Sequence, residues 1–166
     1  MNEQEFRMLA EIEETPTVLK RLIEREADNV KAISARIKQY APEFALLAGR
    51  GSSDNACIYG QYAFQLIAHL PSALSTGSVY TLYKNPPHIS KALVVGVSQS
   101  GETDDVCETI QRAKEEGALT VGITNSQGST LHNLAGENGI YMNASKEESV
   151  CATKSFTASM ASLLML

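Results

Sequence analysis

The chain has 166 residues, of which 43% are hydrophobic and 20% charged, and its formal net charge is −5 at pH 7. This length suits one ordinary α/β domain, which buries roughly 70% of the surface that its unfolded chain exposes. The acidic balance, with no basic cluster among aromatic residues, argues against a nucleic acid as a partner.

The predicted elements begin with an amphipathic helix over residues 17–40, where apolar residues recur at the i, i+3, i+4 spacing. Pro16 suits the first turn of this helix. We therefore assign residues 1–40 to an N-terminal helical segment. A short apolar run at 44–48 is predicted to be a strand, and residues 56–70 are predicted to be helical.

The same order of strand, loop and helix recurs further along the chain. The predicted elements are a strand at 92–97, a polar loop at 98–103, a helix at 106–116, a strand at 119–124, a polar loop at 125–129 and a short strand at 139–142. Gly117 and Gly136 fall where helix C-termini are expected. Because the strands are continuously apolar, we predict an α/β fold with a parallel sheet, a three-layer α/β/α sandwich over residues 41–166.

The last predicted helix runs from about Glu148 to the final residue, with no glycine, asparagine or proline to end it. We expect the chain to end inside a helix and to be part of a longer protein. The final residues 163–166, all apolar, are then expected to expose a patch that meets another domain or subunit.

Cysteine and histidine usage gives no sign of a metal site. Cys57, Cys107 and Cys151 are widely spaced, form no C-x-x-C pair and are predicted to be buried thiols. Asp104 and Asp105 are interpreted as favourable partners of a helix N-terminus rather than as metal ligands. With no targeting segment and no apolar run near the ~18 residues that span a bilayer, we predict a cytoplasmic protein without metal or cofactor.

Two polar loops, beginning at Gly49 and Ser98, are expected to face one crevice at the carboxyl ends of the strands. The stretch 98–103, Ser-Gln-Ser-Gly-Glu-Thr, opens a helix, so its hydroxyls and amides would point at a phosphate on that helix N-terminus. The alternative is that Ser100 or Thr103 only caps the helix. In the other loop, Ser53 is placed either to cap the next helix or to donate to a ligand oxygen.

The start of the last helix carries two further candidates. Lys154 is either a ligand cation or a solvated surface lysine. Glu147 favours a helix N-terminus on dipole grounds alone.

Taken together, these segments resemble the sugar isomerase (SIS) domain, and more narrowly the first of the two SIS domains in the glucosamine-6-phosphate synthase and deaminase group. Four stretches in order carry the resemblance, at residues 11–16 (Glu-Ile-Glu-Glu-Thr-Pro), 49–56, 98–103 and 147–157. The resemblance implies a flavodoxin-like strand topology. It also implies that residues 41–166 are the first SIS domain of a longer protein, and that the second SIS domain is missing from this chain.

The resemblance implies that the 98–103 loop holds a sugar phosphate, while Ser53 and the backbone around Val150 and Ala152 meet the sugar hydroxyls. The implied binding residues are Gly51, Ser52, Ser53, Ser98, Gln99, Ser100, Thr103, Val150, Ala152 and Lys154. Glu147 is the one candidate base in this chain. In the family, the second domain supplies the glutamate that moves the proton.

By resemblance, the chain is the sugar-phosphate binding part of an aminosugar-phosphate isomerase or deaminase. That enzyme converts glucosamine 6-phosphate to fructose 6-phosphate and ammonia, works as a homodimer and uses no cofactor. Asn2 stands where the synthase carries its glutaminase cysteine, so glutamine-dependent amination is not expected. The alternatives are a non-catalytic sugar-phosphate sensor and a fructosamine-phosphate deglycase.

Overall fold

The computed structural model describes residues 3–166, so Met1 and Asn2, at the start of the predicted segment 1–40, lie outside the described residues. Within that range the helices are α1 (Glu3–Glu13), α2 (Thr15–Tyr40), α3 (Ser52–Leu66), α4 (Gly77–Thr81), α5 (Asp104–Glu115), α6 (Thr130–Ala135) and α7 (Lys154–Met165). The strands are β1 (Phe44–Ala48), β2 (Ser72–Leu74), β3 (Ala92–Ser98), β4 (Leu119–Thr124) and β5 (Gly139–Tyr141).

The five strands form one parallel sheet in the order β2-β1-β3-β4-β5. From β1 the chain moves outward to β2 and then returns to the other side of β1 to form β3. The direction of strand addition therefore reverses between β1 and β3, which is the flavodoxin-like order. In such sheets the ligand crevice lies at the carboxyl ends of the two strands that flank the reversal.

Helices cover both faces of the sheet, which confirms the predicted three-layer α/β/α sandwich. On one face α2, α3 and α7 contribute Leu22, Phe64 and Leu163 to a buried core. On the other face α4, α5 and α6 pack, with Ile110 and Leu131 in a second core. All seven residues of β3 are buried, as its unbroken apolar run predicts. None of the helices in the described part of the chain has the length and apolar content to cross a membrane.

Two helix starts differ by four residues or more from the sequence prediction. α3 begins at Ser52 rather than at residue 56, because Gly51 occupies the N-cap position with φ +59° and its carbonyl accepts from the Asp54 amide at 3.1 Å. The capping role predicted for Ser53 is therefore wrong. α7 begins at Lys154 rather than near Glu148, because residues 148–153 form an irregular segment before it.

Short elements account for most of the other differences. β2 has three residues and α4 has five, and neither was predicted. The ends of α5 and α6 at Gly117 and Gly136 were predicted correctly, with φ values of +80° and +56°. Two further expectations are wrong: Cys151 is exposed, and Leu163 is 1% exposed within the core, so residues 163–166 do not form a continuous exposed patch.

Candidate functional site

A polar cavity of about 270 Å³ lies at the carboxyl ends of β1 and β3. Three stretches of chain form its walls: the loop after β1, the loop after β3, and the segment that runs into α7. The residues that line it are Arg50, Ser52, Ser53, Ser98, Gln99, Ser100, Thr103, Glu147, Ser149, Val150, Ala152, Ser155, Phe156 and Ser159. Eight of these side chains carry a hydroxyl, so the cavity is built to form hydrogen bonds.

The loop after β3 holds its hydroxyls in a fixed arrangement. Ser98 is 2% exposed, and its Oγ accepts from the Gly101 amide at 3.0 Å and lies 2.9 Å from Thr103 Oγ1. Ser100 Oγ accepts from the Glu102 amide at 3.2 Å. Thr103 stands at the N-cap position of α5, but its side chain makes no capping hydrogen bond. Its hydroxyl is therefore used within the loop and not by the helix.

Contacts with the loop after β4 fix this loop from outside. The Gly101 carbonyl accepts from the Leu131 amide at 2.9 Å. Hydrogen bonds from the hydroxyl and the amide of Thr130 to the Glu102 carboxylate lower the pKa of Glu102. Gly101 has φ +71°, and a Cβ added there would lie 2.0 Å from Ser129 Oγ. Only glycine fits this close approach between the two loops.

The loop after β1 contributes a cation that the sequence analysis did not single out. Among the described lining residues, Arg50 is the only Lys or Arg. Its Nη1 lies 3.3 Å from Oδ2 of Asp105, in the first turn of α5. The other carboxylate oxygen of Asp105 accepts from Thr81 Oγ1 at 2.7 Å. The carboxylate thus holds the 73% exposed Arg50 side chain beside the N-terminus of α5.

The third wall is organised around Glu147. Its Oε1 accepts from the amide and the hydroxyl of Thr153, at 2.7 and 2.9 Å, and from the Ser155 amide at 3.4 Å. Its Oε2 accepts from the Ser155 hydroxyl. Four donors at the start of α7 thus occupy both carboxylate oxygens. The carboxylate therefore lies at the N-terminus of this helix, the position expected for it from the helix dipole.

A family model described as the SIS domain matches residues 43–166. The chain belongs to this family. The chain is 33% identical over 162 residues to a glutamine–fructose-6-phosphate aminotransferase (isomerizing) of Thermus thermophilus, a match that covers 96% of this chain and 26% of the relative. The chain thus spans about a quarter of that relative.

Solved structures share the fold. A Silicibacter pomeroyi protein assigned as a phosphosugar isomerase superposes with a TM-score of 0.90 at 36% identity, over 96% of this chain and 49% of that chain. The glucosamine-6-phosphate deaminase of Thermotoga maritima superposes with a TM-score of 0.76 at 26% identity, over 96% of this chain and 47% of that chain. The chain described here therefore corresponds to about half of each of these solved chains.

Most of the binding residues predicted from the sequence come together in the SIS domain cavity. Eight of the ten line it: Ser52, Ser53, Ser98, Gln99, Ser100, Thr103, Val150 and Ala152. The other two do not. Gly51 caps α3, and Lys154 is 2% exposed and ion-paired with two glutamates, so it is neither a lining residue nor a solvated lysine.

Five lining residues were not predicted from the sequence, namely Arg50, Ser149, Ser155, Phe156 and Ser159. Ser155 and Ser159 are four residues apart on α7, so the i, i+4 spacing of two hydroxyls is a signal that could have identified them. No group of three His, Cys, Asp or Glu side chains among the described residues is arranged to hold a metal ion.

Proposed function

We propose that this SIS domain binds the phosphate group of a phosphorylated aminosugar or ketose in the cavity between the β1 and β3 loops. The observation that carries this proposal is the fixed set of hydroxyls of Ser98, Ser100 and Thr103 at the N-terminus of α5. The first amides of a helix have no intrahelical acceptor, and the helix dipole favours an anion there.

The remaining lining residues suit the rest of such a ligand. Arg50 adds the one positive charge of the described lining, next to the proposed phosphate position. Ser53, Val150 and Ala152 also line the cavity, and we propose that the Ser53 side chain and the backbone of the other two meet the sugar hydroxyls. A volume of about 270 Å³ lies just below the ~300 Å³ at which small-molecule pockets usually begin, which suits a single sugar phosphate.

We propose further that the domain serves an aminosugar-phosphate isomerase or deaminase that acts as a homodimer. The similarity to an isomerizing aminotransferase and to a glucosamine-6-phosphate deaminase supports this reaction class. The reaction needs a base near C1 and C2 of the open-chain sugar. Glu147 is the only acid in the described lining, and its carboxylate is occupied by four donors. We therefore expect the base to be a group outside the described lining of this cavity.

Titration calorimetry tests phosphate binding directly. We expect glucosamine 6-phosphate to bind and glucosamine to bind far more weakly. The double variant Ser100→Ala/Thr103→Ala should lose at least tenfold in affinity for the phosphorylated sugar, since a hydrogen bond to a charged group is worth about 1.5–3 kcal/mol. Equal affinity for the two sugars would refute the proposal.

A matched control separates this effect from the loss of any two hydroxyls. Thr76 and Ser90 are exposed and do not line the cavity. The double variant Thr76→Ala/Ser90→Ala should bind glucosamine 6-phosphate as the wild type does.

A further inference from the structure

One buried carboxylate connects the N-terminal helices to the proposed ligand site. Glu11 lies in α1 and is 6% exposed. Its Oε1 accepts from the Glu148 amide at 2.5 Å, and its Oε2 accepts from the Ser149 amide at 3.1 Å. The residue lies outside the stretch 43–166 that the SIS family model matches. It is nevertheless in direct contact with a wall of the cavity.

Lys154 fixes this carboxylate from the opposite side. Its Nζ lies 2.8 Å from Glu14 Oε2 and 3.7 Å from Glu11 Oε1. Glu11 and Lys154 are both buried, so removal of Lys154 would leave the Glu11 carboxylate buried without its cation, which is costly. The pair of glutamates and the lysine therefore lock the end of α1 to the start of α7.

The segment that these groups hold is irregular, and it carries cavity residues. Residues 148–153 belong to no helix or strand, and Val150 is 88% exposed, so apolar packing does not fix the tip of the segment. Glu147 attaches one end to α7, and Glu11 accepts from the amides that follow. Ser149, Val150 and Ala152 line the cavity directly beyond.

We propose that Glu11 is a positioning residue for the ligand site: its carboxylate, fixed by Lys154, holds the 147–153 segment in the shape that lines the cavity. Phosphosugar affinity then depends on a residue of the N-terminal helical segment. This inference rests on the proposed function for the identity of the ligand. Lys154 acts in it through Glu11 rather than by contact with the ligand.

The electrostatics keep this carboxylate charged. Burial alone raises the pKa of Glu11, but hydrogen bonds from the Ser149 side chain and from the amides of Glu148 and Ser149, with the Lys154 charge, outweigh it. The pKa of Glu11 is thereby lowered. At neutral pH both oxygens therefore act as charged acceptors, which form the stronger class of hydrogen bond.

The test compares Glu11→Gln with Glu13→Gln, which removes the same charge from an exposed position of the same helix. Two measurements are made on the whole chain: hydrogen exchange of the amides in residues 147–153, and the dissociation constant for glucosamine 6-phosphate. We expect Glu11→Gln to speed exchange at Glu148 and Ser149 and to weaken affinity about tenfold, the loss of one charge-assisted hydrogen bond. Glu13→Gln should change neither.

Unchanged exchange in Glu11→Gln would overturn the inference, and so would faster exchange with unchanged affinity. If Glu11→Gln does not fold, Glu11→Asp takes its place, because it keeps the charge near Lys154 but is one methylene too short to hold both amides. Failure of the wild type to bind glucosamine 6-phosphate would refute the proposed function instead. The exchange measurement, which needs no ligand, then decides the positioning role.

Discussion

At the scale of single residues, Arg50 is the side chain whose contribution depends most on the charge of the ligand. It is largely exposed, and its ion pair among the described residues is with Asp105, so a bound phosphate can take one of its donors without the loss of a buried contact. We expect Arg50→Gln to weaken binding of glucosamine 6-phosphate by roughly 1 kcal/mol, about fivefold, because exposure screens the interaction.

The control for Arg50 is Arg50→Lys, which keeps the charge and loses the planar fork, and which should fall between the wild type and Arg50→Gln. Calorimetry at low and high salt gives the readout. An effect of Arg50→Gln on unphosphorylated glucosamine as large as that on the phosphate would show that the guanidinium does not act on the anion.

The three cysteines differ in a way that thiol labelling can measure. Cys151 is exposed, whereas Cys57 and Cys107 are buried. Burial, with a smaller contribution from Asp54, raises the pKa of Cys57 to about 12. Because the thiolate is the reactive form, we expect one thiol per folded chain to react with a disulfide reagent at pH 8, and three after denaturation. Cys151→Ser should abolish the reaction of the folded protein.

At the scale of elements, the long strands could be predicted from the sequence because their apolar runs are local signals. β2 and α4 could not, because three and five residues carry too little periodicity. Residues 148–153 were wrongly predicted to be helical, because the group that accepts from the amides of Glu148 and Ser149 is Glu11, more than 130 residues away along the chain. The site followed the same rule: the serine loops were found from local motifs, whereas Arg50 and Lys154 are explained by their distant partners.

The β3 loop offers a sharp test of local geometry. Gly101→Ala must tolerate φ +71° and also the clash with Ser129, whereas Gly128→Ala has φ +78° and open space around the added Cβ. We expect Gly128→Ala to cost about 1 kcal/mol of unfolding free energy and Gly101→Ala about 2–4 kcal/mol. Denaturant unfolding measures both. Equal costs would mean that the two loops are not in close contact.

The 147–153 segment should respond to acid through Glu11. The pKa of Glu11 in the folded state is lowered below its ordinary value near 4.5, so the unfolded chain binds this proton first as the pH falls. The contribution of Glu11 is therefore fully present above that value and is lost as the pH falls through the lowered folded-state pKa.

Hydrogen exchange of the segment, corrected for the intrinsic rate, should accordingly stay constant from pH 8 to pH 5 and rise only below the ordinary pKa value near 4.5. The Glu11→Gln variant should show no such rise. A change centred near pH 6 or 7 would assign the transition to another group.

At the scale of the whole molecule, the N-terminal helices, the sheet and the cavity depend on one another. α2 contributes Val18, Leu22, Val30 and Ile33 to the same core as the strands. α1 reaches the cavity wall through Glu11. A chain that begins near residue 43, where the family match starts, would lack both contributions and expose the part of the sheet face and core that α2 covers.

These relations lead to a prediction for purified residues 1–166, which should bind glucosamine 6-phosphate without converting it. Its cavity supplies hydroxyls and a cation, but the only carboxylate in the described lining is held by four donors. Absence of a general base costs about 10²–10⁴-fold in rate. Ammonia release is the assay, with light scattering to test the expected homodimer. Turnover at the rate of a complete deaminase would show that the base lies in this chain, and Glu147→Gln would then identify it: loss of ammonia release with phosphosugar binding retained would assign the proton transfer to Glu147.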